Sequence, residues 1–160
     1  MRLAALALAA SLTLAVAALA QPRPDFSGTW RLDISRSNSA AHGGAPRPVT
    51  LEITQTATEI RIKTVTEEGA TTLSYGLAGP DNATLASTTG VPTARWKGTI
   101  LQTDAIRDIR GQSVTVQQSR QLSADGNEMT VDSIVNVQHG YTLSGAQTYG
   151  ASRDIFVRVR

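Results

Sequence analysis

The side chain whose type and placement say most about chemistry is Arg120. On the run from Ser113 to Leu122, Ser113, Thr115, Gln117, Ser119 and Gln121 are all polar and share one face of an extended strand. Val114, Val116, Gln118, Arg120 and Leu122 therefore fall on the other face. This alternation places a guanidinium among apolar side chains. A buried guanidinium is costly unless an internal carboxylate, ordered water or an anionic ligand meets it. The plainer alternative is a residue at the mouth of the fold whose stem snorkels to solvent. Tyr75 and Trp96 lie on the apolar faces of their own runs and would either wall a cavity or fill the core. With Gln118 and Arg120 they make up the candidate ligand-binding set. Aromatic residues are only 4% of the chain, so an interior built mostly of Val, Leu, Ile and Ala suits an aliphatic ligand better than a flat polar one.

Catalytic chemistry has little to work with. His42 lies in a Gly-rich stretch and His139 stands beside Gly140, and the chain has no cysteine, so it offers neither a thiol nucleophile nor a close zinc-ligand set. Glu67 with Glu68, and Asp104 with Asp108, are pairs by sequence alone and read as surface charges on turns and strand edges. No Gly-rich phosphate cradle follows a strand and opens a helix. The expectation is a protein without catalytic residues, metal or cofactor.

The elements that position these residues are strands. From Val49 onward the period is two, β-branched residues recur throughout, and turn residues come at short intervals. Val49, Leu51 and Ile53 alternate with Thr50, Glu52 and Thr54, and Ile60 and Ile62 with Glu59, Arg61 and Lys63. After Glu67-Glu68-Gly69, Leu73, Tyr75 and Leu77 face inward, and a short strand is expected around Leu85. Lys97-Gly98 then turns into a less regular segment, ending at Arg110-Gly111, whose faces the pattern does not assign. The clearest hairpin runs from Ser113 to Val137 through Ala124-Asp125-Gly126-Asn127, with Gly126 expected at positive φ. Separate strands over Tyr141 to Tyr149 and Arg153 to Val159 bring the expectation to about 8–10 strands. Ser35 to Pro48 reads as a loop. Alternation of this kind fits a sandwich and a closed barrel equally.

Residues 1–20 have a basic start at Arg2, an Ala/Leu-rich run and a small-residue exit at Ala18-Leu19-Ala20, which predicts a cleaved signal peptide of bacterial type, with no membrane segment remaining. Residues 21–160 then form one domain, periplasmic or secreted. Without Arg2, 14 basic residues face 13 acidic ones. A near-neutral chain with two lysines and scattered arginines carries no nucleic-acid footprint. Lacking disulfides, it must be held by packing alone.

The order of motifs separates barrel from sandwich. Asp25 to Leu32, DFSGTWRL, resembles the opening strand of lipocalins and fatty-acid-binding proteins, whose barrels begin with G-x-W, here Gly28 and Trp30. The chain is also similar to small secreted bacterial lipocalin-like proteins, through the W-x-G step Trp96-Lys97-Gly98, the LSADG turn Leu122 to Gly126, and the aromatic-x-Arg ending Phe156-Val157-Arg158. The resemblance implies an all-β, up-and-down antiparallel barrel. It implies that Gly28 permits close approach at the closed end, that Trp30 plugs the floor, and that Arg158 lies against that indole. It also implies an arginine near the hairpin turn, Arg120, contacting a ligand head group. Two departures stand out. The two helices of fatty-acid-binding proteins have no counterpart between Ser35 and Pro48, and the R-x-Y carboxylate grip is replaced by Asp154 and Phe156 unless Arg153 serves instead.

The expected function is an exported binding protein for a small hydrophobic molecule, with a fatty-acid-like anionic head as the option Arg120 offers. The alternative is a filled barrel that binds another protein through the Ser35 to Pro48 loop, as a secreted inhibitor would. An isomerising or cyclising enzyme is a third reading, with no acid/base pair behind it.

Overall fold

In the computed structural model the two-residue period becomes nine strands, with residues 22–38, 47–77, 91–109, 112–137 and 148–160 described. They are β1 (Gly28–Leu32), β2 (Thr50–Gln55), β3 (Glu59–Thr66), β4 (Gly69–Gly76), β5 (Thr93–Lys97), β6 (Ile100–Ile109), β7 (Gln112–Leu122), β8 (Glu128–Val137) and β9 (Thr148–Arg158). Each pairs with the next and β9 returns to β1, closing a barrel. Among the described strands, closure leaves no free edge to template association. All these pairings are antiparallel except the one between β4 and β5, which meet through the parallel pair Gly76 and Thr93.

The polar-apolar alternation sets the inside. Leu51, Ile53, Ile60 and Ile62 are buried while Glu52, Thr54 and Arg61 are exposed, and Ile53 lies opposite Ile62 in the register. Trp30, Phe26, Ile60, Leu101 and Met129 are fully buried in one core cluster. Each such side chain contributes roughly 1.5–3 kcal/mol by leaving water. One end of the barrel, here called the floor, carries the β2–β3, β5–β6 and β7–β8 turns, the incoming chain at residues 22–27 and the end of β9. The β7–β8 hairpin turns with Gly126 at φ 68°, as its Asp-Gly sequence predicts.

Three expectations change. The segment after Gly98 is a regular strand, β6, with Leu101, Thr103 and Ala105 inward. Its period is hidden in the sequence because Thr103 is polar on the inner face while Asp104, on the outer face, is 3% exposed. Asp104 is therefore no surface charge. Residues 148–158 form one strand rather than the parts of two. A 3₁₀ turn, Ile34–Arg36, follows β1, capped by the Asp33 carboxylate, which accepts from the Ser35 and Arg36 amides. The expected strand around Leu85, the stretch 141–147, both histidines and residues 1–20 lie outside the described residues. Among the described residues no helix is long and apolar enough to cross a membrane.

Candidate functional site

The floor is built around Trp30. It lies on β1 directly opposite Arg158 on β9, and the Arg158 guanidinium carbon sits 4.1 Å from the indole centroid. Arg158 is held there by two backbone carbonyls: Nε donates to Gly126 O at 2.9 Å and Nη1 to Ser27 O at 2.5 Å. The indole Nε1 donates to Phe26 O at 2.9 Å, so the plug leaves no unsatisfied donor of its own. Gly28 has φ +132°, and a Cβ there would stand 2.6 Å from Arg158 Nη1. The glycine is thus required twice, by its backbone conformation and by the guanidinium beside it. Phe26 packs against Trp96 with ring centroids 6.0 Å apart, and the Arg23 guanidinium lies 5.5 Å from the Trp96 ring.

Above the floor the inner wall divides into two halves. Strands β2 to β4 offer Leu51, Ile53, Ile60, Ile62 and Leu73, whereas β6 to β9 carry a polar band. Two adjacent cross-strand rows make it: Leu101, Arg120, Val131 and Asp154 in one, and Thr103, Gln118, Ser133 and Ser152 in the next. Arg120 is 3% exposed and Asp154 9%. Arg120 Nη1 donates to Thr103 Oγ1 at 2.8 Å and Nη2 to Gln118 Oε1. Gln118 Nε2 passes the chain on to Ser133 Oγ at 3.1 Å. Ser152 Oγ is buried without a hydrogen-bond partner. Inward-facing Thr64, Val116 and Gln118 keep partial solvent access, in contrast to the sealed layer at Trp30, Leu101 and Met129.

Arg120 and Gln118 are thus brought into direct contact inside the barrel, and Arg120 is no rim residue. Trp96 lies on the row of Leu101 and Arg120, two strands away, but its ring packs into the floor. Tyr75 is 2% exposed within the core cluster, opposite Ile60. Arg153 does not take up a carboxylate grip: it points outward and is paired with Asp132 at 2.6 Å. The residues missed from sequence are Thr103, Ser133, Ser152 and Asp154. The signal for two of them was present, since Phe156 and Arg158 inward require Asp154 and Ser152 inward as well.

These features define a barrel of the lipocalin and fatty-acid-binding-protein type, the fold that the resemblance implied. Among solved structures, a variant of the REP1-NXSQ fatty acid transporter is similar over 83% of this chain and 97% of its own, with 18% identity and a TM-score of 0.50. The fluorescent protein UnaG (14% identity, 84% and 97% covered, TM-score 0.46) and a zebrafish ileal bile-acid-binding protein complexed with cholic acid (14%, 84% and 98%, 0.45) are also similar. No family model and no curated protein matches the sequence.

Proposed function

We propose that this chain is an exported carrier that holds a small hydrophobic molecule inside its barrel, above the Trp30 floor. The observation that carries the reading is the divided interior: an apolar wall on β2 to β4 faces a hydrogen-bonded polar band centred on Arg120 and Gln118. A barrel needing only a filled core has no use for a buried guanidinium on its inner wall, because an apolar residue there would avoid the desolvation cost. An apolar surface with a few fixed polar groups is instead the make-up of a small-molecule site. The name of the structurally similar fatty acid transporter points the same way. Periplasmic or secreted location is supported by the character of residues 1–20.

Native mass spectrometry of the protein purified from its host, with displacement of an apolar fluorescent probe, tests the reading. A co-purifying small molecule or saturable probe binding is expected. Neither would mean a filled barrel, and the carrier function would fall.

A further inference from the structure

The polar band constrains the ligand further, given the carrier reading on which this inference rests. Arg120 and Asp154 both face inward from one cross-strand row, on β7 and β9 with Val131 between them. Among the described side chains of the band, one positive charge is therefore matched by one negative charge. A carboxylate placed against Arg120 would sit about 10 Å from the Asp154 strand, two strand spacings away, in surroundings that screen charge poorly. Arg120 Nη1 and Nη2 already donate to Thr103 Oγ1 and Gln118 Oε1, so part of the guanidinium's donor set is taken up within the protein.

Neutral groups meet a different surface. Gln118, Ser133 and Ser152 form a strip of uncharged donors and acceptors across three strands, about 10 Å wide. The Ser152 hydroxyl at its end is buried and lacks a hydrogen-bond partner. An unmet buried hydroxyl is costly, and a ligand hydroxyl or carbonyl at this place would satisfy it. We infer that the ligand is an uncharged amphipath bearing two or more hydroxyl or carbonyl groups, rather than a fatty-acid anion. Its apolar face would lie on β2 to β4 and its polar edge along Gln118, Ser133 and Ser152. This differs from the anionic head that Arg120 alone suggests.

Two probes with the same tail make the test: decanoate and 1-decanoylglycerol, each displacing an apolar fluorophore from the full-length protein at pH 8, where decanoate is ionised. The glycerol ester should bind at least tenfold more tightly. Ser152→Ala should lower its affinity severalfold and leave decanoate unchanged, and Asp154→Asn should improve decanoate at least threefold by removing the opposing carboxylate. Equal or tighter binding of decanoate overturns this inference while the carrier reading stands. Ser152→Ala binding the ester as the parent does also overturns it. If the fluorophore itself fails to bind, the carrier reading fails as well.

Discussion

Replacing Gly28 with alanine should be among the most damaging single-methyl additions in this chain, and the structure says how the loss divides. The residue has φ +132°, a region essentially closed to side-chain-bearing residues, which by itself costs about 1–3 kcal/mol. The new Cβ would also come within 2.6 Å of Arg158 Nη1, so the guanidinium must leave its place over Trp30. That sacrifices part of a cation–π contact worth about 0.5–2 kcal/mol and of two charged-donor hydrogen bonds worth roughly 1.5–3 kcal/mol each. The combined loss is about 3–6 kcal/mol, against a stability of roughly 5–15 kcal/mol for a domain of ordinary kind. Guanidinium chloride melts followed by tryptophan fluorescence measure it, with a double-mutant cycle to isolate the contact. In an Arg158→Ala background the clash disappears, and Gly28→Ala should cost only the backbone share. Equal costs in the two backgrounds, within about 0.5 kcal/mol, the usual error of additivity, would refute the idea that the guanidinium explains the glycine.

Trp30→Ala should destabilise by about 3–5 kcal/mol through the cavity it leaves; a denaturant midpoint equal to the parent's would remove its role as floor. Arg120→Leu leaves the Gln118 Oε1 acceptor and the inward Asp154 carboxylate without that guanidinium, and should cost about 3–5 kcal/mol, with much of the loss recovered in the Arg120→Leu, Asp154→Leu double variant. Thermal melts of the three proteins check this, and a single variant as stable as the parent would contradict it. In acid, Asp33 and Asp125 should contribute a loss of stability. The Ser35 hydroxyl and Arg36 hold the Asp33 carboxyl down at about 2, and Ser123 with Asn127 does the same for Asp125. Both carboxylates are depressed below the ordinary 3.8, so their contribution is present above that value and fades as pH falls toward about 2. Melting temperature should drop through that window, and less so in Asp125→Ala; a drop of the same size in that variant would discount the turn.

The strands were legible wherever one face met water, because a two-residue period survives only under that contrast. Leu51 and Ile53 beside Glu52 and Thr54 are the plain case. The contrast fails on β6, where Thr103 lies inside and Asp104 is buried outside, so the pattern there carries no period. The floor was legible through the spacing of Gly28 and Trp30 and the ending at Arg158. The polar band was legible one strand at a time: Arg120 was found from β7 alone, but Ser133, Ser152 and Asp154 gain meaning only from the register between strands, which a single sequence does not state.

The closure of the ring also governs how the barrel assembles. Seven of its junctions join strands that follow one another in an antiparallel meander, and the β4–β5 parallel pair also joins neighbours in the chain, whereas β1 with β9 does not. Arg158 and Ser27, which bond across that last junction, are 131 residues apart. By loop-closure entropy this contact costs about 2 kcal/mol more to bring together than a loop of about ten residues. The hairpins should therefore form early and the β1–β9 seam late. Trp30 sits on that seam with a guanidinium over its ring, so in stopped-flow refolding of a Trp96→Phe variant, which leaves Trp30 as the single tryptophan, its fluorescence times the moment the ring shuts.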